Sequence, residues 1–351
     1  MNYRMGQLWA WAAAMAIAGL GCEDVRYQSG ASDEATGGEP EGAPEGEPEV
    51  PDEPLPEAPP AEIRGFIADV ARSGDALVVI NVYNGVDVMG IGPDGGLSAL
   101  GHQFLPTRGL HRVAVEGELA YVASLIGLTV LDVSDPSAPQ ELGSDAFSGA
   151  GLDLALTGGP VALRTEDSVR LVDVSDPSGP VAIQIVPVAQ VDIPRIAAND
   201  EVVVINTDEG FEMRSLTEPI PLNPVVTFGA FAEGPAPIAR DAEIAGDLLA
   251  MGWSDGKIHL RNIETPYRTW QTGELVVPGD ATDLKIVGDI LLVSMRRAGL
   301  AVIDISEVDA PRLVEVLDTP EEAHSATIVN GRAYVADGFD SLQILSLSGA
   351  P

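Results

Sequence analysis

A turn centred on glycine or aspartate recurs seven times in this chain at nearly constant spacing. The turn residues lie 43, 41, 42, 46, 42 and 43 residues apart, and they are Gly74, Gly117, Gly158, Asp200, Gly246, Gly288 and Gly331. A period of about 40 to 45 residues with several short strands per unit is typical of the blades of a β-propeller. We therefore predict an all-β fold, a seven-bladed β-propeller of four-stranded blades over residues 61–351.

The second unit shows the predicted strands of one blade most clearly. Residues 113–115 and 119–123 are apolar strands on either side of the turn at Gly117, and residues 128–133 form a third strand. Residues 134–139 contain two prolines, which end the ladder and force a turn before a fourth, outer strand. Because the apolar runs are only four to six residues long and are bounded by glycine or proline, strands are favoured over helices.

The last unit lacks sequence for an outer strand, because only four residues follow the strand at 342–347. Residues 60–65 (PAEIRG) resemble residues 139–143 (PQELG), the outer strand of the second unit. We predict that residues 61–66 pair with the C-terminal blade and close the ring, which would cover exposed sheet edges.

Three segments have closely related sequences. They are residues 128–136 (LTVLDVSDP), 169–177 (VRLVDVSDP) and 300–306 (LAVIDIS). These segments resemble LVIVD repeats, strongly in three units and by spacing alone in the other four. The resemblance implies a β-propeller on a secreted or envelope protein. The family has no established catalytic residues, so none is transferred to this chain.

The N-terminal residues have the pattern of a lipoprotein signal peptide. Arg4 precedes an apolar stretch at residues 8–20, which is too short to span a membrane, and Gly21 and Cys22 follow. Cys22 is the only cysteine, which excludes disulfides and thiolate metal clusters. Its position resembles that of the lipidated cysteine of bacterial lipoproteins, although Gly19 replaces a larger apolar residue. We predict a signal peptide over 1–21 and lipidation of Cys22, with ordinary cleavage and secretion as the alternative.

Residues 22–60 are predicted to be a disordered tether. Residues 23–62 hold 13 acidic residues, one arginine and eight prolines, with almost no large apolar side chain. Such a segment cannot bury enough apolar surface to fold. We expect it to hold the propeller away from the membrane, and a spacer without a required length is the alternative.

The formal net charge of −35 constrains the possible partners. A domain this acidic is repelled by nucleic acid, so we predict no nucleic-acid binding. The acidity also suits solubility in a salty habitat, which we favour over an acidic recognition patch. Calcium binding by turn carboxylates remains an option, although aspartate before proline is more often a turn former. Those carboxylates are Asp135, Asp176, Asp337 and Asp340.

The best candidate for a functional site is a ring of charged residues where the inner strands begin. The residues five positions before the turns are Asp69, Arg112, Asp153, Arg195, Asp241, Asp283 and Ala326, the last preceded by His324 and Ser325. Nearby loops add Trp253, Arg296 and Asp337 to this candidate binding rim. We favour charge pairing between blades over ligand binding for the ring, and packing alone would explain Trp253.

Two functions are compatible with these residues. The favoured one is a membrane-anchored binding or scaffold module of the bacterial cell envelope. We expect it to be a monomer that contacts the membrane through Cys22 and binds an envelope protein or an extracellular ligand. The alternative is a metal-dependent hydrolase of small extracytoplasmic substrates. It would place a cation among His324, Asp69, Asp153, Asp241 and Asp283. No linear catalytic or metal-binding motif supports it, so no catalytic residue and no cofactor is assigned.

Overall fold

The computed structural model describes residues 65–105, 109–147, 149–216, 224–229, 237–265, 268–339 and 342–348. The predicted signal peptide, Cys22, the tether and residues 61–64 lie outside this range. Within it, the secondary structure consists of 27 β-strands, which form seven antiparallel sheets. The predicted seven-bladed propeller is thereby confirmed.

Each sheet is built from strands in chain order, from the inner to the outer edge. Blade 1 contains β1 (Ile67–Ser73), β2 (Ala76–Asn81), β3 (Gly85–Ile91) and β4 (Leu97–Phe104). Blade 2 contains β5 (Leu110–Glu116), β6 (Leu119–Ser124), β7 (Gly127–Asp132) and β8 (Gln140–Ala146). Blade 3 contains β9 (Asp153–Leu156), β10 (Val161–Arg164), β11 (Ser168–Asp173) and β12 (Val181–Pro187). Blade 4 contains β13 (Ile196–Ala198), β14 (Val202–Thr207), β15 (Gly210–Ser215) and β16 (Pro224–Gly229).

The remaining blades follow the same order. Blade 5 contains β17 (Ala239–Ala245), β18 (Leu248–Trp253), β19 (Lys257–Thr265) and β20 (Arg268–Val276). Blade 6 contains β21 (Asp283–Val287), β22 (Ile290–Ser294), β23 (Leu300–Asp304) and β24 (Arg312–Leu317). Blade 7 contains β25 (Ser325–Val329), β26 (Arg332–Ala336) and β27 (Leu342–Ser346). In the described residues this last sheet has three strands.

The ring closes between blades 7 and 1. Ile67 N–H donates to Gly338 O over 2.9 Å, and the Phe66 ring lies 5.0 Å from the rings of His324 and Phe339. The chain that enters β1 therefore contacts blade 7. The predicted pairing of residues 61–66 as a fourth strand falls largely outside the described residues and stays a prediction.

The hydrophobic core is divided among the interfaces between neighbouring blades. Seven clusters of buried apolar residues each join two consecutive blades, including one that joins blade 7 to blade 1. The second strands are buried on both faces, as in β2 and β22. This burial explains their continuous apolar sequences, since blades stack face to face.

A β-bulge recurs between the third and fourth strands of every four-stranded blade. The register shifts immediately before Met89, Leu131, Val172, Arg214, Arg261 and Ile303. These six residues therefore occupy equivalent positions, which we call the bulge position.

A glycine begins the third strand in blades 1, 2 and 4 and directly precedes it in blade 6. At Gly127, φ is +125° and a Cβ would lie 2.2 Å from Asp145 O of the outer strand. A Cβ at Gly85, Gly210 or Gly299 would likewise lie 2.0 to 2.2 Å from a carbonyl oxygen of the outer strand. Only glycine lets the outer strand approach this closely.

The outer strand of blade 3 exposes apolar side chains. Val181, Ile183 and Ile185 alternate along β12 and are 55%, 58% and 53% exposed. The segment 177–191, which contains β12, has no charged residue. It differs in this respect from the outer strand of blade 2, β8, which carries Glu141 and Asp145.

Candidate functional site

Seven equivalent positions near the start of the inner strands form one layer around the ring axis. We call it the rim layer: Asp69, Arg112, Asp153, Arg195, Asp241, Asp283 and Ser325. Strand pairing places Ser325 opposite Ala336, as it places Asp283 opposite Ser294. The sequence-based assignment of Ala326 to the seventh position was therefore wrong by one residue. Relative to its turn glycine, the turn of blade 7 is centred one residue earlier than the turns of the other blades.

Arg112 of blade 2 is the centre of the rim layer. Its Nε donates to Asp153 Oδ1 over 2.9 Å, and a second guanidinium nitrogen contacts Asp283. Asp69 Oδ1 and Asp241 Oδ2 each lie 3.7 Å from its terminal nitrogens. One guanidinium thus faces carboxylates from four other blades.

The same carboxylates bond to backbone N–H groups of the next blade. Asp69 Oδ2 accepts from Val113 N–H over 2.7 Å, and Asp153 Oδ2 accepts from Ile196 N–H over 2.9 Å. Asp241 Oδ2 accepts from Leu284 N–H over 2.7 Å. Each aspartate therefore joins its own blade to the following one, a role that does not require a ligand.

Acidic groups outnumber basic groups in the rim layer. Arg195 Nε lies 3.6 Å from Asp241 Oδ1. With Arg112, the rim layer therefore has two guanidinium groups for four buried carboxyl groups. Burial, reinforced by Asp283, raises the pKa of Asp241 to about 8, although Arg112 and Arg195 oppose this shift. Burial also raises the pKa of Asp69. Burial disfavours the charge on Arg112, but Asp283 and the other three carboxylates hold its pKa well above the usual value.

A central channel of about 370 Å³ runs along the inner strands. Asp69, Arg112, Asp153 and Asp283 line one end, and apolar residues such as Val115, Leu156 and Ile244 line it further along the strands. In the part of the chain that the structure describes, no group of three or more His, Cys, Asp or Glu side chains is arranged to hold a metal ion. Arg112 itself stands among the rim carboxylates.

The other sequence-predicted residues lie in the loops of blades 5, 6 and 7. Trp253 is only 1% exposed and packs edge-on against Phe211 at 5.2 Å, so it has no surface available for a ligand. Asp337 is fully buried and accepts from Glu321 N–H over 3.1 Å. Arg296 lies 3.9 Å from Glu322. His324 packs on Phe66, and burial together with Arg296 lowers its pKa.

The turn carboxylates considered for calcium form local hydrogen bonds. Asp135 accepts from Ser137 Oγ over 2.7 Å, and Asp176 accepts from Ser178 Oγ over 2.6 Å. In both turns the serine hydrogen bonds lower the aspartate pKa. These contacts are those of turn-forming aspartates. Asp340 lies outside the described residues.

Exposed side chains define an apolar and an acidic sector on the face on which the inner strands begin, which we call the rim face; the loop of blade 6, between the two sectors, exposes the basic Arg297. In blades 7, 1 and 2, the loops between the second and third strands expose Phe339 (64%), Tyr83 (56%) and Leu125 (51%). The corresponding loops of blades 3, 4 and 5 expose only acidic charges: Glu166, Asp167, Asp208, Glu209 and Asp255. Sequence analysis missed this division, although the loop residues could have been aligned by their distance from each turn.

The comparison with protein families identifies two of the repeats. A model described as the LVIVD repeat matches residues 110–145 and 278–319. The chain carries LVIVD repeats. The matched repeats cover blades 2 and 6, and they include Arg112 and Asp283 of the rim layer. The LVIVD-like segment at residues 169–177 lies outside both matches.

Comparison with solved structures supports the fold of this LVIVD-repeat chain. The computationally designed Ika8 protein has a TM-score of 0.57 and 14% identity, over 82% of this chain and 98% of that protein. A chain of the Mitotic Checkpoint Complex has a TM-score of 0.64 and 13% identity, over 85% of this chain and 98% of that chain. At such low identity the similarity is one of fold alone.

No curated protein shows significant similarity to the chain. Among the described residues, there is no helix with the length and apolar character needed to span a membrane.

Proposed function

We propose that the protein is a lipid-anchored β-propeller of the bacterial cell envelope that binds a protein partner on its rim face. A propeller with LVIVD repeats supports a general binding or scaffold role. The observation that carries the more specific proposal is the division of the rim face into an apolar and an acidic sector.

The apolar sector has the chemistry of a protein interface. Phe339, Tyr83 and Leu125 come from three consecutive blades and are all more than half exposed. Large aromatic and aliphatic side chains supply most of the binding energy at such interfaces. The acidic sector favours basic side chains and accelerates their approach. The partner is therefore a protein with an apolar contact next to lysines or arginines.

The location rests on the N-terminal sequence. Lipidation of Cys22 would anchor the protein in the membrane, and residues 22–60 would act as the tether. The alternative is a secreted protein that acts on an extracellular ligand. The propeller acts as a monomer in this proposal.

The metal-dependent hydrolase would need a cation among the rim carboxylates. Arg112 lies 2.9 Å from Asp153 and contacts Asp283, so a guanidinium already occupies the position between these groups. This contact supports the binding role. Calcium binding stays a prediction that metal analysis can decide.

Site-specific photocrosslinking in intact cells tests the rim face. A photoreactive amino acid replaces Tyr83, Leu125 or Phe339, and Ile183 on β12 serves as the control because it is similarly exposed, at 58%. We expect discrete crosslinked species from the three rim positions and none of the same mass from Ile183. Equal crosslinking from Ile183, or no product from any rim position, would refute the rim-face interface.

Two variants separate the parts of this proposal. Replacing the acidic-sector residues Glu166, Asp167, Asp208 and Glu209 by their amides should lower the crosslinking yield while the melting temperature stays unchanged. Cys22→Ser should move the protein from the membrane fraction to the soluble fraction. If C22S stays in the membrane fraction, the anchor is wrong, whatever the crosslinking shows.

A further inference from the structure

The bulge position has an unusual occupant in two neighbouring blades. In blades 1, 2, 3 and 6 it holds a buried apolar residue, and these are Met89, Leu131, Val172 and Ile303, each at most 1% exposed. In blades 4 and 5 it holds Arg214 and Arg261. An arginine at a position that otherwise belongs to the core needs a charged partner, because burying an unpaired charge is costly.

Blade 4 supplies that partner and blade 5 does not. Arg214 Nε lies 3.0 Å from Glu212, which precedes it by two residues on the same face of β15. The residue at the matching place on β19 is His259. Among the residues that the structure describes, Arg261 has no carboxylate within ion-pair distance, and its shielded Nε has no hydrogen-bond acceptor.

The contacts of Arg261 leave part of its donor fork free. One terminal nitrogen donates to Thr269 Oγ1 over 3.0 Å, and the guanidinium carbon lies 4.8 Å from the centre of the Phe228 ring. These contacts hold the group in place beside an aromatic face. Desolvation lowers the pKa of Arg261 without removing its charge at neutral pH.

Arg261 lies in a cavity of about 270 Å³ between blades 4 and 5. Its polar lining includes His259, Thr269 and Gln271, and its apolar lining includes Phe228 and Met251. Burial lowers the pKa of His259, which favours the neutral ring. Its Nε2 lies 4.0 Å from Glu274 Oε2, a carboxylate oxygen that also accepts from Gln271 Nε2. The cavity thus combines one unpaired cation, neutral hydrogen-bonding groups and an aromatic wall.

We propose that this cavity binds a carboxylate attached to an apolar or aromatic body, and that Arg261 is its counter-ion. A planar carboxylate matches the guanidinium fork, whereas a phosphate is usually held by several cations or backbone N–H groups. Phe228 and Met251 would contact the apolar body. A small organic acid and the C-terminal residue of a peptide share this chemistry. The site is separate from the rim face, so the inference does not depend on the proposed function.

Isothermal titration calorimetry of the full chain with N-acetyl-L-phenylalanine tests the site. The control ligand is N-acetyl-L-phenylalanine amide, which has the same body without the negative charge. We expect saturable one-to-one binding of the acid and at least ~10-fold weaker binding of the amide, since a charge-assisted pair is lost. Equal binding of the two ligands, or no heat from the acid at 10 mM ligand (about tenfold above a millimolar Kd), would overturn the proposal.

Variants identify Arg261 as the binding group. Arg261→Gln should weaken acid binding at least ~10-fold, and Arg261→Lys should weaken it less because the charge remains while the fork is lost. Arg268→Gln is the matched control: Arg268 lies on the next strand, its side chain is 72% exposed, and it pairs with Glu264. Should R261Q unfold, R261K and the amide ligand still decide the question. Unchanged acid binding by R261K and R261Q would refute the assignment.

Peptides distinguish the two sources of the carboxylate. The probes are N-acetyl-Gly-Gly-Phe with a free C-terminus and the same peptide amidated. Tighter binding of the free peptide than of N-acetyl-L-phenylalanine would identify a peptide terminus. Weaker binding of the free peptide would identify a small acid. Binding of the amidated peptide as tight as that of the free peptide would contradict both.

Discussion

Arg112 Nε lies 2.9 Å from Asp153 Oδ1, and the other oxygen of the same carboxylate accepts Ile196 N–H over 2.9 Å. Through Asp153, blades 2, 3 and 4 are joined by two hydrogen bonds in succession. Arg112 also faces Asp69, Asp241 and Asp283, so this one side chain compensates charges contributed by most of the ring.

Arg112→Met should destabilise the propeller strongly. The substitution keeps an unbranched apolar stem but leaves buried carboxylates without their cation, which typically costs about 3–5 kcal/mol. Urea unfolding at pH 7 measures the loss. Arg268→Met, at an exposed ion pair, should change the free energy of unfolding by no more than ~1 kcal/mol. Similar losses for the two variants would show that the rim layer does not stabilise the fold.

Asp241 should make stability fall as pH rises. Its pKa is about 8 in the folded state against 3.8 for an unperturbed aspartate, so the folded protein binds more protons between these values. Stability from this group is therefore complete below about pH 4 and is lost as pH rises through about 8. Asp241→Asn removes the titration and should flatten the dependence of the free energy of unfolding on pH. The slope should change by at most ~1.4 kcal/mol per pH unit.

The control for this pH effect is Asp135→Asn. Serine hydrogen bonds lower the pKa of Asp135, so its contribution is present at neutral pH and is lost as pH falls through the folded-state pKa. The difference in the free energy of unfolding between wild type and D135N should thus shrink as pH falls, whereas the difference for D241N shrinks as pH rises. Chemical denaturation compares wild type with D241N from pH 4 to pH 8, and wild type with D135N below about pH 4, where Asp135 titrates. Parallel curves for wild type and D241N would contradict the raised pKa.

Gly127→Ala should be far more damaging than Gly117→Ala. A Cβ at residue 127 would meet Asp145 O at 2.2 Å, whereas a Cβ at residue 117 meets nothing within 4 Å. Gly117→Ala should cost ~1 kcal/mol, because alanine is strained at its φ of +61°. Gly127→Ala should cost more than ~3 kcal/mol, in the range of disruptive core substitutions. Thermal melting compares them, and equal losses would mean that the outer strand can move away.

Removal of residues 61–66 should lower the melting temperature. The deletion takes away the Phe66 ring, which packs on His324 and Phe339, and the carbonyl that accepts Val82 N–H over 3.0 Å. Deletion of six residues within the tether, 41–46, is the length-matched control. An unchanged melting temperature for the first deletion would refute closure of the ring by this segment.

EDTA should leave the melting temperature unchanged. Arg112 already stands among the rim carboxylates, and the backbone N–H groups of Val113, Ile196 and Leu284 donate to three of them. Elemental analysis of the purified protein, paired with melting in EDTA, checks this. Stoichiometric calcium that is lost with a large drop in melting temperature would instead favour the metal-dependent hydrolase.

The period of the turns was sufficient to predict the propeller, because it records one physical unit repeated along the chain. It located the rim layer to within one residue: the seventh position was assigned to Ala326 instead of Ser325, because the turn of blade 7 lies one residue earlier. The sequence could not show that Arg112 faces four carboxylates rather than its neighbours alone. That arrangement depends on ring closure, which brings Arg112 into contact with Asp283, 171 positions away.

The role of individual residues also depends on their buried neighbours, which the sequence does not show. Trp253 is a plausible ligand contact in sequence, but it packs against Phe211 and His259 in the interface between blades 4 and 5. Arg214 and Arg261 look alike in sequence, and only the bulge reveals that they occupy the same position. Their different neighbours, Glu212 and His259, then distinguish a paired arginine from an unpaired one.

The recurring bulge also affects how separate molecules behave towards one another. A propeller places the free edge of each outer strand on its circumference, and a flat free edge can recruit a strand from another chain. A bulge next to that edge bends and twists it, so two edges do not align over their length. On β12, which exposes Val181, Ile183 and Ile185 and has no charged residue of its own, we expect the bulge, the preceding Pro180 and the terminal Pro187 to protect against aggregation.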